Sequence, residues 1–324
     1  MIQNDFNDLS VLIIGYRRAT NIEKILEICA VSSITSIYIS IDGPKSGNNE
    51  GFADYIKIKN CIDGFRNSFN GKIQVYIRDT NVGCAASVMS SCDWFFSQIE
   101  YGIILEDDCI PSIDFFKFAL DMRGYIDSKP NIWLACGSQF IPKQLLTDSP
   151  FVSKYALTWG WATSSTKWAE IKKSVFSRKK FANKIRTLNI IDRVYWNAGA
   201  RRAYQGFTDV WDTILVQQML EEKKFALLPP ENLVTNIGND FAATHTKDAS
   251  VLLNNELGRY CVKEPKLETN QVLDAWIRNN VYKISFKHLI TTKLTWLLDC
   301  FFRSRNFEPL LGRWQSANIK PIRN

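Results

Sequence analysis

Gly102-Ile103-Ile104-Leu105-Glu106-Asp107-Asp108-Cys109-Ile110-Pro111-Ser112 is the stretch on which the fold turns. Four apolar or small residues run straight into three carboxylates, and a proline and a serine follow before an aromatic helical pattern begins. A short, wholly apolar run of this kind reads as a strand buried on both faces. Ser112 is placed to cap a helix over 112–126. Upstream the same rhythm repeats. Val11-Leu12-Ile13-Ile14 closes at Gly15, and apolar positions 22, 25, 26 and 28 give a helix over 21–31. Ile37–Ile41 is a second strand, stopped by Asp42-Gly43-Pro44. A helix over 52–65, a strand over 73–77 and a helix over 82–99 lead to Gly102, and a further strand follows at 132–136. Strands alternating with helices at this pace predict βαβ units and a mainly parallel central sheet, helices on both faces.

After Gly137 the alternation loosens. Tryptophans cluster at 159, 161 and 168, and helical patterns fall at 166–176, 180–196 and 209–222. A short strand is expected at 225–228, and 231–268 is polar and loop-rich. From 270 to 305 a helical pattern rich in Trp, Phe, Leu, Lys and Arg returns. The simplest partition is a catalytic domain over 1–265, with a nucleotide-binding region over 1–140 and an acceptor-binding region over 141–265. A basic helical appendage over 266–324 follows.

Composition removes several chemistries. The 324 residues are 46% hydrophobic and 23% charged, as in ordinary globular domains. Two histidines, His245 and His288, are too few for a zinc site of the H-E-x-x-H type. Eight cysteines show no C-x-x-C pair and sit mostly in apolar runs, which suits small core residues in a reducing compartment. The first ten residues are too polar for a secretory signal, and no run of about 18 apolar residues occurs. The expected location is therefore cytoplasmic or peripheral to a membrane.

In an open parallel sheet, ligands bind beyond the carboxyl ends of the strands. Those ends carry Gly15-Tyr16-Arg17-Arg18, Asp42-Gly43, Arg78 to Gly83, and Glu106-Asp107-Asp108. Three adjacent carboxylates repel one another unless a cation joins them. Hard divalent ions take one or two carboxylates together with substrate phosphates. The plain alternative for such a triplet is a solvated acidic loop, but its setting between a buried strand and a helix favours a cation. A G-x-G-x-x-G fingerprint, a P-loop and a G-x-S-x-G elbow are all missing. So is the Gly-rich, basic loop after the first strand that a sugar nucleotidyltransferase would carry. Transfer from a nucleotide-diphosphate donor held by a metal is what remains.

The ordered set Val11–Arg18, Ile39–Pro44, Asn81-Val82-Gly83, Ile104–Pro111, Thr158–Ala162, Trp211-Asp212 and Asn232–Gly238 resembles a GT-A-fold nucleotide-diphospho-sugar glycosyltransferase. The type is the bacterial haemolytic-protein-like group, which is similar to the N-acetylglucosaminyltransferase I family. The resemblance covers 11 to about 246. It implies donor contacts from Gly15, Tyr16, Arg17, Asp42, Arg78, Asn81, Gly83, Glu106 and Asp107. Asp42 would face the base, Asp107 the ribose, and Asp108 would bind Mn²⁺ or Mg²⁺. It further implies an inverting base at Asp212, with Asp209 as its rival, in an enzyme passing sugar to a glycan or lipid-linked acceptor in bacterial surface polysaccharide synthesis. A UDP-sugar is the expected donor. A non-catalytic carbohydrate- or nucleotide-binding module of the same fold is the alternative.

Trp159-Gly160-Trp161 and Trp211 are expected to line the acceptor side, against the reading of ordinary core tryptophans. His245 is either a lid residue over the diphosphate or a plain loop histidine. From residue 278 onward nine basic side chains face two acidic ones, an excess equal to the whole chain's +7. Beside leucines and aromatics, the stretch 278–305 suits an anionic membrane surface. Docking on the catalytic domain with a solvated basic face is the competing reading. Nucleic-acid binding is not expected, since no recognised module accompanies the charge.

Overall fold

The computed structural model describes residues 6–175, 188–204, 208–238 and 256–285, apart from 46 and 48, together with 290 and 294. The expected alternation is present. Strands β1 (Ser10–Gly15), β2 (Ser36–Ile41), β3 (Lys72–Ile77) and β4 (Tyr101–Glu106) are linked by helices α1 (Ala19–Val31), α2 (Asn49–Ser68) and α3 (Cys84–Phe96). β5 (Cys109–Pro111) then leads into α4 (Ile113–Ser128) and β6 (Ile132–Cys136). Later come β7 (Phe151–Ser153), β8 (Trp161–Ser164), α5 (Ser165–Val175), α6 (Ile190–Tyr204), α7 (Asp212–Glu222), β9 (Phe225–Leu228), β10 (Val234–Asn236) and α8 (Gln271–Asn280).

Eight strands form one sheet in the order β3-β2-β1-β4-β8-β6-β9-β7. The four on the β3 side are mutually parallel, with Val11 opposite both Ile37 and Ile103. β8 runs antiparallel between β4 and β6, and β7 closes the far edge antiparallel to β9. A separate two-stranded ribbon pairs β5 with β10. The expected α/β class, with a mainly parallel sheet covered on both faces, is therefore what the chain adopts.

The period-two alternation of the strands explains the two cores. Val11 and Ile13 of β1, with Ile103 and Leu105 of β4, enter the cluster under α1, α2 and α4. Leu12, Ile14 and Ile104 enter the opposite cluster, with α3, α6, α7 and the tryptophans. Each such fully buried aliphatic side chain contributes ~1.5–3 kcal/mol.

Four short strands, β5, β7, β8 and β10, were not expected. β8 reads W-A-T-S, too polar to announce a buried strand. Its Thr163 is nevertheless fully buried, the hydroxyl donating to the Trp133 carbonyl at 2.6 Å. Ser112 holds the residue position before α4 with extended backbone, but its hydroxyl makes no capping bond. Its N–H instead donates to the Leu233 carbonyl at 2.9 Å, joining α4 to the approach to β10. The helix expected over 180–196 begins at Ile190 within the described residues. Within the helical pattern expected over 270–305, α8 ends at Asn280 and Lys283 follows in the left-handed region, φ 51°; most of 286–305 lies outside the described residues.

α8 does not stand apart from the preceding residues. Leu273, Ile277 and Ile284 are buried in the cluster that holds Trp161 and Trp211. Asp274 accepts a 2.7 Å bond from the Ser153 hydroxyl, and Arg278 pairs with Asp192 of α6.

Candidate functional site

The carboxyl end of β4 gathers three carboxylates that the fold treats differently. Asp107 is turned beneath the end of β1. It accepts the Tyr16 N–H at 2.9 Å and the Arg18 guanidinium at 2.8 Å. Burial raises its pKa, and the Arg18 charge opposes that rise. Asp108 accepts from the same Arg18 nitrogen at 3.2 Å and keeps about a fifth of its side chain exposed. Its carbonyl takes the Ile237 N–H, and a Cβ on Gly238 would press on its Oδ2 and displace the carboxylate. Glu106 is the most perturbed of the three. Burial, then the charges of Asp108, Asp107 and Asp212, push its carboxyl up to about 8, against a hydrogen bond with the Trp211 side chain.

The ends of β1 to β3 form the neighbouring wall. Gly15 ends β1 on Ile22 and Ile41, and Tyr16 follows it half-buried. Arg17 reaches Asp54 of α2 at 2.9 Å. Asp42 is buried and organises the loop after β3. It accepts from the N–H groups of Gly43, Val82 and Gly83 and from the Asn81 side chain at 2.8 Å. Its carboxylate thus fixes the loop's shape from beneath rather than presenting a free edge to a base.

Arg78 is placed otherwise than a donor contact requires. Only 2% exposed, it sits over the Tyr76 ring at 4.6 Å and donates to the hydroxyls of Ser40, Ser87, Ser90 and Ser91. Burial lowers the pKa of this guanidinium against the opposing influence of Tyr76 and Asp42. The three serines of α3 wrap it on the inner side of the helix, away from solvent.

The third wall is the approach to α7, and here the two rival aspartates separate. Asp209 accepts the N–H groups of Cys84 at 2.7 Å and Ala85 at 3.0 Å, the first two residues of α3. It serves α3, not its own helix. Asp212 opens α7 as an exposed residue, its Oδ1 taking the Thr213 N–H at 2.7 Å. The two halves of the chain meet around Cys84. Burial raises its thiol pKa well above the ordinary value, and after burial the causes are Glu106, Asp209, Asp212 and Asp108, in that order.

The tryptophan expectation needs correction. Trp161 is 1% exposed, its ring 5.3 Å from that of Trp211 and 6.2 Å from that of Trp168. It is core, with no face left for a sugar. Gly160 takes φ +66° because the chain passes under Val234, whose Cγ2 would lie 2.8 Å from a Cβ. That is packing, not approach to a ligand. Trp211 is buried too, while Trp159 keeps partial exposure edge-on to Phe140.

Residues that the sequence did not single out stand closer. Arg18 bridges Asp107 and Asp108; its signal was the second of two consecutive arginines after β1. Tyr195 and Tyr282 lie near Asp212. Burial, then Asp212, push the Tyr195 hydroxyl up to about 12. Tyr195 donates to the Tyr282 carbonyl at 3.2 Å, and Tyr282 to the Ala156 carbonyl at 2.8 Å. His245 and most of 278–305 lie outside the described residues. Among the described residues no helix is long and apolar enough to cross a membrane.

Among the described residues, no three His, Cys, Asp or Glu side chains converge closely enough to cage a metal ion by themselves. A Mg²⁺ or Mn²⁺ ion does not require such a cage. It is commonly held by one or two carboxylates and completed by substrate phosphates and water. Asp108, partly exposed beside a Glu106 whose charge its neighbours already oppose, is a hard-oxygen donor set of that kind.

The fold and this site define a Rossmann-like α/β protein with a carboxylate cluster at the carboxyl ends of its parallel strands. No protein-family model and no curated protein matches the chain. Among solved structures it is similar to a UDP-glucose pyrophosphorylase complexed with UDP-glucose, with 7% identity over 68% of this chain and 90% of that one and a TM-score of 0.38. HddC from Yersinia pseudotuberculosis is 15% identical over 49% of this chain and 78% of its own, TM-score 0.30. The 4-diphosphocytidyl-2C-methyl-D-erythritol synthase from Anaerococcus prevotii is 11% identical over 53% and 77%, TM-score 0.32. Likenesses this loose say nothing of chemistry, which rests on the site residues.

Proposed function

We propose that the protein is a metal-dependent, inverting glycosyltransferase. It would move a sugar from a nucleotide-diphosphate donor, a UDP-sugar, to a hydroxyl of a glycan or lipid-linked oligosaccharide in surface polysaccharide synthesis. The observation that carries this reading is the meeting of the acidic end of β4 with Asp212. Burial, and after it the charges of Asp108, Asp107 and Asp212, push the Glu106 carboxyl up to about 8. Such a cluster is relieved by a divalent cation arriving with a diphosphate.

Asp108 would hold the ion, with Glu106 beside it, and Asp107, expected at the ribose, would act there through the Tyr16 backbone and the Arg18 guanidinium it holds. When bound, the metal stabilises negative charge on the departing nucleoside diphosphate. Arg18, bonded to both Asp107 and Asp108, brings a further positive charge to the same place. Asp212 accepts the proton of the acceptor hydroxyl as that oxygen bonds to the anomeric carbon. The bond from the anomeric carbon to the diphosphate breaks, and its electron pair leaves on the phosphate oxygen. Tyr16, Arg17, Asn81 and Gly83 lie on the donor side. Asp42 acts there through the loop it shapes, and Trp159 is the tryptophan with surface to offer an acceptor. Work at the inner face of a membrane through 278–305 belongs to the same proposal.

The test is a thermal-shift panel of nucleoside diphosphates and sugar nucleotides, with and without Mn²⁺. A ligand that binds only the native state raises its apparent stability. Metal-dependent stabilisation by one nucleotide, lost in Asp108→Asn, is the expected result. Full transfer activity with unchanged metal dependence in Asp108→Asn would overturn the reading.

A further inference from the structure

We propose that Asp209 is a positioning residue. Its carboxylate clamps the chain leading into α7 onto the first turn of α3, and so sets where Asp212 stands relative to the β4 carboxylates. The inference rests on the reading of Asp212 as base and adds the device that aims it.

A helix begins with N–H groups that have no partner inside it. The cap position of α3 is Gly83, which has no side chain to supply one. Asp209, 125 positions beyond Cys84, supplies it instead. Asp209 Oδ2 takes the Cys84 N–H and Oδ1 the Ala85 N–H, a two-pronged arrangement favoured by the partial positive charge of the helix start. Gly83 is shaped to admit it. Its φ is +90°, and a Cβ there would lie 2.5 Å from Asp209 Oδ2.

The opposite end of the same short segment is also held. Trp211 is 7% exposed, packs on Trp161 and hydrogen-bonds through its side chain to Glu106. α7 has no side-chain cap of its own at Trp211. Its start is therefore fixed by Asp209 to α3 and by Trp211 to β4, and Asp212 is the next residue. Both Asp209 oxygens already accept N–H bonds, which suits a fixed anchor and leaves proton acceptance to Asp212. The loop preceding α3 is in turn held by Asp42, so hydrogen bonds run from the donor-side loop through the start of α3 to Asp209, and the backbone carries that anchor on to Asp212.

The experiment compares Asp209→Ala, Asp209→Asn and Asp212→Asn in the full chain. The readouts are kcat, donor KM, the ratio of donor hydrolysis to transfer, and hydrogen exchange at the Cys84 and Ala85 amides. Misplacement by an ångström costs about 100-fold in rate, so Asp209→Ala should lower kcat by about 10- to 100-fold. Donor KM should stay within about twofold, the hydrolysis-to-transfer ratio should rise, and exchange at the two amides should quicken about tenfold or more. Asparagine keeps an acceptor oxygen and should recover kcat to within about fivefold of wild type. Asparagine also provides the measurement if the alanine variant does not fold. Unchanged kcat in a folded Asp209→Ala protein, or unchanged amide exchange, would overturn the clamp. Full transfer by Asp212→Asn would overturn the base assignment instead, and amide exchange would still decide the clamp.

Discussion

Replacing Glu106 by glutamine in the metal-free protein tests the electrostatics of the site without relying on an assay of transfer. Burial and three neighbouring carboxylates raise the Glu106 carboxyl from the ordinary 4.5 to about 8. The sign follows from proton counting. Between those two values the folded protein binds more protons at this residue than the unfolded chain, so stability falls as pH rises through the window. A displacement of that size corresponds to ~5 kcal/mol at most, developed in full only above the folded value. Glutamine keeps an oxygen for Trp211 and removes the charge. At pH 8 it should therefore stabilise the protein by roughly 2–5 kcal/mol, and at pH 5 by less than ~1 kcal/mol. Urea denaturation from pH 5 to 8 measures both, since the midpoint moves while the slope stays constant. With Mn²⁺ and a nucleoside diphosphate the wild-type pH dependence should flatten, because the added cation favours ionised Glu106. Parallel pH profiles for wild type and Glu106→Gln would refute the argument.

Two further outcomes distinguish packing from binding. Arg78→Met should cost ~2–4 kcal/mol in urea denaturation, since it leaves four serine hydroxyls without their common donor, while donor KM stays within about twofold. Trp161→Phe should cost ~1–3 kcal/mol through the space left between Trp211 and Trp168, and acceptor KM measured beside it should not move.

The first half of the chain was legible because its strands are buried on both faces and separated by amphipathic helices. Val11–Ile14 and Ile37–Ile41 carry their burial in their composition. The strands that complete the sheet do not. Thr163 satisfies its hydroxyl on the Trp133 carbonyl, and no local pattern announces that a partner 30 residues away makes a polar residue a core one. The same limit governs the site. Glu106-Asp107-Asp108 stands out in sequence because like charges at a strand end need an explanation. Arg78 stood out for the wrong reason: a cation at a strand end reads as a phosphate ligand until the serines at 87, 90 and 91 are seen around it. Asp209 could be weighed only against its own helix, since its partners lie 124 and 125 residues back.

The sheet order has a consequence for how the molecule comes into being. β6 lies beyond β4 but does not touch it; its partners are β8 and β9, both made later. While residues 1–140 emerge during synthesis, β4 shows a bare edge and β6 has nothing to pair with. The first turn of α3 likewise waits for Asp209. A nascent chain stopped there would carry unpaired strand edges, the surfaces through which partly folded chains associate. The sheet is therefore completed by residues on both sides of position 140. Cutting the chain near residue 140 would leave β4 with one open edge and β6 without a neighbour.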